Sequence, residues 1–417
     1  MKVCFVLGLL MSLVVLNYFD RQTLSVLKPI VKADLTLDDK AYSLLTFAFM
    51  LPYIVMYVAS GRLIERFGTR ICMSLFAIGW SIANIASGMS HNFAQLAASR
   101  ALLGAAEPGV FPIIQRAILN WVPVERRALA IGIVMPAGNL GAILAPPLVA
   151  VMTAGIGWRA AFIIPGLIGV SIAMLWWFAD TKQAPPPSLD TAQPVAPDEE
   201  AASISALLRD KRYWAIIAVR MISDPVWYFY LFWIAGYLQE RVGLSLSELG
   251  LVGSIPYIVA MLACLVAGRF VDRAAARGHD PIRIQLRLFA ITAALMPLGA
   301  LITMTSSVAI ALLIITIVVS VCQTWFVGFN VLLAGLFPVK INASAVGMLG
   351  AVGASTSLIL NLLAGFILAQ FDYVALFAGL AILHPISAVI LFVVIGRTRP
   401  KPRTTAVESA ATSGVAT

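Results

Sequence analysis

Long apolar stretches alternate with short polar segments along almost the whole chain. Most of these stretches reach the roughly 17–25 residues that an α-helix needs to cross about 30 Å of hydrocarbon. They cover residues 3–19, 41–60, 71–87, 93–119, 129–150, 162–179, 214–238, 249–267, 288–305, 308–336, 343–369 and 374–395. The pattern predicts an all-α integral membrane protein with about twelve transmembrane helices.

One polar segment, residues 180–212, is much longer than the turns between the other stretches. It contains Pro185-Pro186-Pro187 and the acidic run Asp198-Glu199-Glu200, a composition typical of linkers. The segment divides the chain into two halves of about six spans each. We therefore predict a six-helix bundle at 1–180, a cytoplasmic linker at 181–212, a second six-helix bundle at 213–397 and a disordered cytoplasmic tail at 398–417.

The charge distribution predicts how the chain is oriented in the membrane. Only 12% of the residues are charged, about half the share in soluble domains, and the formal net charge is +9. The positive charges cluster in the loops after the second, fourth, eighth and last stretches, at Arg62, Arg66, Arg70, Arg116, Arg126, Arg127, Arg269, Arg273, Arg277, Arg283, Arg287, Arg397, Arg399, Lys401 and Arg403. An excess of Lys and Arg marks the cytoplasmic side, so both termini are predicted to be cytoplasmic, and nucleic-acid binding is not indicated.

Other features of the chain narrow its class. Met1-Lys2 followed by an apolar run resembles a signal peptide, but no small-residue cleavage site follows, so this run is kept as the first helix. The cysteines, Cys4, Cys72, Cys264 and Cys322, all fall within apolar stretches and lack paired or metal-type spacing. They are predicted to be core residues. We expect no metal and no cofactor.

An internal repeat supports the division into halves. The second stretch ends in Gly61-Arg62-Leu63-Ile64-Glu65-Arg66, and the eighth ends in Gly268-Arg269-Phe270-Val271-Asp272-Arg273. Two similar motifs at equivalent positions indicate two pseudo-symmetric six-helix bundles. We expect the glycines, Gly61 and Gly268, to allow close helix packing. The charged residues that we expect to bridge the neighbouring helix ends are Glu65, Arg66, Asp272 and Arg273.

These motifs resemble those of the major facilitator superfamily. Gly61-x-x-x-Glu65-Arg66-x-Gly68-x-Arg70 is similar to its signature loop, with Glu where Asp is usual. Asn17-Tyr18-Phe19-Asp20-Arg21 and Arg100-x-x-x-Gly104-x-x-Glu107 resemble the anion:cation symporters, as does Trp121-x-Pro123-x-Glu125-Arg126. Arg220-x-x-x-Asp224-Pro225-x-Trp227 resembles the hexuronate-transporter branch. The resemblance implies proton-coupled symport of a small organic anion by alternating access, in a bacterial inner membrane.

The fourth stretch carries two charges where charges are costly. Arg100 and Glu107 are seven residues apart, about 700° of helix rotation, so they face one way with Gly104 between them. Two purely structural explanations are the alternatives. Arg100 could extend its side chain to the membrane interface, and Glu107 could serve only as the counter-ion of Arg100. Burial favours a neutral Glu107 and a nearby arginine favours its carboxylate, which is the balance expected of a proton carrier.

The end of the first stretch supplies the predicted anion site. Tyr18 and Arg21 are three residues apart on a helix, and a guanidinium grips a carboxylate bidentately. A solvated outer-mouth pair of Asp20 and Arg21 is the alternative. The resemblance implies that Arg21 and Tyr53 contact the substrate and that Asp20 and Glu107 take part in proton coupling. Arg100 is placed behind Arg21 at the same site.

The second half supplies the opposite wall. Arg220, Asp224 and Trp227 recur at helical spacing and share a face, and Pro225 is expected to bend or unwind the helix there. An intrahelical ion pair that only cancels two charges is the alternative for Arg220 and Asp224. For the aromatic residues of this half the alternative is packing. The residues predicted to contact substrate here are Trp227, Gln323 and Trp325.

Departures from the resemblance leave the substrate open. Cys322 stands where hexuronate relatives usually carry His, Gly328 where they carry Asn, and Pro108 follows Glu107 in place of a small residue. A hexuronate is the first expectation, with an aldonate, a dicarboxylate or an anion antiporter as alternatives. A membrane enzyme is disfavoured because no catalytic constellation is present, and a transporter-like sensor stays open. The expected partners are a small organic anion, a proton and the lipid bilayer, and we expect a monomer.

Overall fold

A computed structural model describes residues 2–123, 130, 133–134, 137–179, 204–337 and 339–396 of the chain. In this part of the chain all regular structure is helical. The N-terminal half contains α1 (Lys2–Val26), α2 (Lys28–Asp34), α3 (Asp39–Gly88), α4 (Phe93–Ala106), α5 (Val110–Trp121), α6 (Ala137–Ile156) and α7 (Ala160–Ala179). The C-terminal half contains α8 (Ile204–Arg209), α9 (Lys211–Glu240), α10 (Leu246–Val252), α11 (Ile255–Ala276), α12 (Pro281–Ala293), a 3₁₀ helix (Met296–Met304), α13 (Val308–Leu336), α14 (Val339–Gln370), α15 (Tyr373–Ala381) and α16 (Leu383–Val394).

The number of membrane crossings agrees with the sequence. Eleven helical segments of the described chain are long and apolar enough to span a bilayer. The remaining predicted crossing is the fourth along the chain. A break at Glu107-Pro108-Gly109 divides it into α4 and α5, and neither part reaches spanning length alone. Proline lacks the N–H that would continue the helical ladder and clashes with the preceding turn, which accounts for the break. The helical architecture and the eleven spans, with α4 and α5 in place of the remaining crossing, match the predicted fold class.

The first helix is longer than its apolar stretch. The sequence predicts an end near Phe19, but α1 continues to Val26 and carries Asp20 and Arg21 inside the bundle. Both side chains are buried, at 2% and 6% exposure, so the solvated outer-mouth alternative does not describe them. The apolar stretch ends where the polar residues Asp20 and Arg21 begin, but the helix continues. These polar side chains are accommodated inside the bundle because they meet polar groups of neighbouring helices.

Two further expectations need correction. Nothing among the described residues lies within 4 Å of where a Cβ on Gly61 or Gly268 would be, so neither glycine serves close helix packing here. Gly68 instead has a left-handed backbone (φ 77°), and it turns the chain between the second and third spans within α3. α9 is helical throughout despite Pro225, so the predicted unwinding is not seen.

Several predicted segments fall outside the described chain. They include residues 181–203 of the linker, the tail, Glu125 to Arg127, and the side chain of Glu65. The end of the predicted linker is helical, at α8, and the Asp210 side chain caps α9 by accepting from the Arg212 N–H at 2.7 Å.

Candidate functional site: a polar cavity between the two halves

A cavity of about 280 Å³ lies between the two halves, near the middle of the long helices. The N-terminal half contributes Tyr18, Arg21, Tyr53, Tyr57, Phe111 and Gln115 to its lining. The C-terminal half contributes Arg220, Asp224, Trp227, Tyr228, Leu231, Phe326, Phe329, Asn330, Val346, Leu349, Gly350 and Ala354. Apolar walls with a few charged and hydroxyl groups are typical of small-molecule sites.

Arg21 is the cation of the N-terminal wall. Its guanidinium carbon lies 4.7 Å from the Tyr53 ring centroid, 5.4 Å from that of Tyr18 and 5.7 Å from that of Phe49. Arginine stacks favourably on aromatic faces, and these rings hold its planar fork in one orientation. The predicted group of Tyr18, Arg21 and Tyr53 is thus brought together at the cavity.

Glu107 holds Arg21 from behind. Arg21 Nε donates to Glu107 Oε2 at 2.6 Å, and the carboxylate is fully buried and is not part of the cavity lining. The sequence alternative paired Glu107 with Arg100, but the structure pairs it with Arg21. Glu107 sits at the break between α4 and α5, where Pro108 ends the regular ladder.

Glycines set the position of the N-terminal wall. A Cβ on Gly138 of α6 would lie 2.6 Å from the Tyr18 ring, so the ring occupies the space that a side chain there would fill. A Cβ on Gly104 of α4 would overlap the backbone of Phe49 in α3. Gly104 therefore leaves room for the close approach of a neighbouring helix, α3.

A buried polar cluster lies beside Glu107, away from the cavity. Arg100 Nη2 donates to Ser87 Oγ at 2.8 Å and to Asn84 Oδ1 at 3.4 Å, and its guanidinium carbon lies 5.2 Å from the Phe162 ring. Arg100 is 2% exposed, so it does not snorkel. Asp20 lies in the electrostatic surroundings of Arg100, Arg21 and Glu107.

Several buried atoms in and around this cluster have no hydrogen-bond partner within the described chain. They are both amide atoms of Asn17, Asp20 Oδ2, Arg21 Nη2, Asn84 Nδ2, Arg100 Nε and Glu107 Oε1. Unmatched polar atoms are costly in a helical bundle, so the ionisable members of this group, Asp20, Arg21, Arg100 and Glu107, are candidates for a functional site.

The C-terminal wall carries a charged pair. Arg220 Nε lies 2.7 Å from Asp224 Oδ2, one helical turn further along α9. The Arg220 guanidinium carbon is 4.6 Å from the Phe326 ring centroid and 5.0 Å from that of Phe329. Trp227 lines the cavity beside the pair, as the spacing predicts.

Three predicted substrate-binding residues lie outside the cavity lining. Trp325 stacks on Phe289 at 4.4 Å and donates to Thr292 Oγ1 at 2.9 Å. Gln323 Nε2 donates to Asn139 Oδ1 at 3.4 Å. Arg100 is held in the cluster described above. In this conformation none of the three reaches the cavity, so a substrate contact by any of them stays a prediction for another state of the protein.

Some lining residues were not singled out from the sequence, although the spacing of one of them carries a signal. Tyr57 follows Tyr53 by four residues in α3, and positions i and i+4 share a helix face, so Tyr57 extends a face already recognised. Phe111 lies beyond the break at Glu107-Pro108-Gly109, and Asn330 lies four residues after Phe326 in α13.

Contacts tie the two halves together at the end where α1 is followed by α2. Lys28 of α2 is fully buried, and its Nζ lies 2.9 Å from Glu240 Oε2, 3.0 Å from Asp39 Oδ1 and 3.0 Å from the Tyr373 hydroxyl. Lys32 contacts the same two carboxylates. We call Lys28, Lys32, Asp39, Glu240 and Tyr373 the Lys28 network. Glu240 and Tyr373 belong to the C-terminal half, so the network ties the two bundles together.

The described residues contain no cluster of three or more His, Cys, Asp or Glu side chains that could hold a metal ion. Two helical bundles around a central, partly polar cavity define a multi-pass membrane protein with a solute-sized site. The sequence model of the Major Facilitator Superfamily matches residues 10–326. The chain belongs to this superfamily.

Curated relatives are similar over part of their length. The Hexuronate transporter of Escherichia coli (strain K12) is 28% identical over 265 residues, which cover 61% of this chain and 61% of that protein. The Probable L-galactonate transporter of the same organism is 29% identical over 285 residues, 66% of this chain and 63% of that protein. The matches thus span less than two thirds of the relatives. Both relatives are transporters rather than enzymes.

The fold is also found among solved structures. A bacterial homologue of the human lysosomal transporter Spinster, crystallised in an inward-facing and unoccupied conformation, matches with a TM-score of 0.75. The match covers 95% of this chain and 96% of that chain at 20% sequence identity. At this identity the likeness concerns the fold alone.

Proposed function

We propose that this protein is a secondary active transporter that carries a small organic anion together with a proton. The substrate we propose is a sugar acid, with a hexuronate such as glucuronate or galacturonate as the first candidate. The observation that carries the proposal is Arg21: a guanidinium facing a cavity between two bundles and paired from behind with Glu107 at 2.6 Å. The names of the curated relatives support the same class of substrate.

The pair suggests how substrate and proton are coupled. A carboxylate that enters the cavity competes with Glu107 for the Arg21 fork, since a carboxylate and a guanidinium match bidentately. Once displaced, Glu107 is a buried carboxylate without its cation, and it is stable there only as the neutral acid. Binding of the anion therefore favours uptake of one proton at Glu107. The neighbouring Asp20, with its unpartnered Oδ2, is the second group proposed in the proton route.

Alternating access supplies the transport step. With the predicted topology, in which both termini are cytoplasmic, the Lys28 network lies at the extracellular end of the cavity. The described conformation is then closed to the outside, and separation of Lys28 from Glu240 accompanies opening. We place the protein in a bacterial inner membrane as a monomer, and residues 181–212 as a cytoplasmic linker between the two bundles.

Uptake into proteoliposomes tests this proposal. We expect purified protein to accumulate labelled glucuronate when the lumen is more alkaline than the medium, with competition by hexuronates, weaker competition by aldonates and almost none by glucose. Competition by glucose as strong as that by glucuronate would contradict the anion site. Preference for succinate would contradict only the proposal that the substrate is a sugar acid, and not the proposal that it is an organic anion.

A further inference from the structure

The charged pair on the C-terminal wall lies across the cavity from Arg21 and has no part in the coupling proposed above. Arg220 and Asp224 both line the cavity, and their side chains are only 7% and 10% exposed. Each is nevertheless positioned to meet a ligand that fills the site. The pair is therefore a candidate for contacting the part of the substrate that points away from Arg21, and so for selecting among substrates.

The surroundings hold both groups in place. The rings of Phe326 and Phe329 pack on the Arg220 guanidinium at 4.6 and 5.0 Å. A Cβ on Gly353 of α14 would lie 2.8 Å from Asp224 Cγ, so the carboxylate occupies space that only a glycine leaves open. A rigid, oriented pair is suited to selecting among ligands, because little ordering is needed when the ligand binds.

The net charge of this wall decides what it attracts. Among the described lining residues of the C-terminal half, Arg220 and Asp224 are the charged ones, and their formal charges cancel. A second carboxylate on the substrate would meet Asp224 at close range without a free cation to compensate, and like charges at close range repel strongly in a partly buried site.

Hydroxyl groups suit the same wall. A hydroxyl both donates and accepts, so it can give a hydrogen bond to the Asp224 carboxylate and take one from the Arg220 guanidinium. Asn330 adds an amide with the same double capacity on the same wall. Bonds of this kind to charged groups are stronger than those between neutral partners.

We propose that Asp224, held by Arg220, makes the site select monocarboxylates that carry hydroxyl groups over dicarboxylates. This inference rests on the proposed sugar-acid function and names the residue that sets the substrate class. The alternative is a structural pair that only cancels two charges inside the bundle. The two accounts differ in their consequences for relative affinity, because a structural role weakens all substrates alike.

A specificity comparison separates them. Glucuronate has one carboxylate, whereas galactarate has a second carboxylate at its other end. In Asp224→Asn the wall gains a net positive charge. The affinity for galactarate should therefore rise, and the affinity for glucuronate should fall. We expect the galactarate-to-glucuronate ratio of affinities, measured by competition in proteoliposomes, to rise about tenfold or more. If this variant is not monodisperse, Asp224→Ser removes the same charge with a smaller side chain.

A double variant and a matched control complete the test. Arg220→Gln/Asp224→Asn makes the wall neutral again, and the ratio should return towards that of the wild type. Asp372→Asn removes a carboxylate that pairs with Arg241 at 2.6 Å on the exposed surface and should leave the ratio unchanged. An unchanged ratio in Asp224→Asn, with wild-type uptake intact, overturns this inference alone. If the wild type takes up neither sugar acid, the proposed function fails and this inference fails with it.

Discussion

Arg21 Nε and Glu107 Oε2 lie 2.6 Å apart, although 86 positions separate the two residues in the sequence. The arginine faces the cavity between the halves, while the glutamate is fully buried behind it. In the function proposed above, a substrate anion in the cavity would compete with this internal carboxylate for one guanidinium. Occupancy of the cavity and the charge state of Glu107 would then depend on each other.

Arg21→Lys tests the fork. Lysine keeps the positive charge but offers a point charge in place of two parallel N–H donors and stacks less well on Tyr18 and Tyr53. We expect substrate affinity to fall by about 1.5–3 kcal/mol, the range for a hydrogen bond to a charged group. Equilibrium binding to detergent-solubilised protein measures this. Near-normal affinity would show that Arg21 does not grip the substrate.

Glu107→Gln tests the proton site. Glutamine keeps the shape and can still accept a bond from Arg21, but it cannot take up a proton. We expect accumulation driven by a pH gradient to be lost, while exchange of labelled for unlabelled substrate continues because it needs no net proton movement. Asp20→Asn, measured in parallel, is the comparison. If gradient-driven accumulation survives in Glu107→Gln but not in Asp20→Asn, Asp20 rather than Glu107 carries the proton.

Gly138→Ala tests the position of Tyr18. The added methyl would lie 2.6 Å from the Tyr18 ring, so the ring must leave its present position beside Arg21. We expect roughly a tenfold loss of substrate affinity, about 1.4 kcal/mol. Gly155→Ala, in the same helix with no atom of the described chain within 4 Å of the new methyl, is the matched control and should bind normally. Equal losses in both variants would point to a general effect of alanine in α6.

Lys28→Met tests closure of the cavity. Methionine keeps an unbranched side chain but loses the contacts to Glu240 and Asp39. Contacts of this kind contribute about 1.5–3 kcal/mol each, enough to shift a two-state equilibrium more than tenfold. We expect spin labels at Ala33 and Ser247, on opposite halves at this end, to move apart. Lys211→Met, an exposed lysine elsewhere, should leave the distance distribution unchanged.

Single cysteines test the orientation in the membrane. In a variant without the four native cysteines, a cysteine at Arg62 should be labelled only in inverted vesicles, because the loop after the second span is predicted to be cytoplasmic. A cysteine at Ala33, near the Lys28 network, should be labelled from outside intact cells. The reverse pattern would invert the topology and place the closed end of the cavity in the cytoplasm.

The sequence predicted the fold more fully than the site. Apolar stretches of spanning length predicted the all-helical membrane fold, and eleven of the twelve predicted crossings are found as spanning segments of the described chain, because hydrocarbon thickness sets helix length. Tyr18, Arg21, Tyr53 and Trp227 all line the cavity. Helical spacing grouped Tyr18 with Arg21 and placed Trp227 on the face of Arg220 and Asp224, whereas Tyr53 came from the family resemblance alone. Their contacts with substrate stay a prediction.

What the sequence missed depends on packing between distant segments. Spacing along one helix favoured Arg100 as the partner of Glu107, but the break at Pro108 and the length of α1 bring Arg21 there instead. Lys28 gave no signal, because its burial depends on Glu240 and Tyr373 in the other half. Trp325 was predicted to contact the substrate, but in this conformation its indole N–H donates a hydrogen bond to Thr292 inside the bundle.

The most direct test of proton-coupled sugar-acid transport is the pH of a weakly buffered medium outside proteoliposomes when glucuronate is added without an imposed gradient. Wild-type protein should make the medium more alkaline as substrate and protons enter together, glucose should cause no change, and Glu107→Gln should abolish the signal. Uptake of glucuronate by the wild type with no change in pH, or with acidification of the medium, would contradict proton symport.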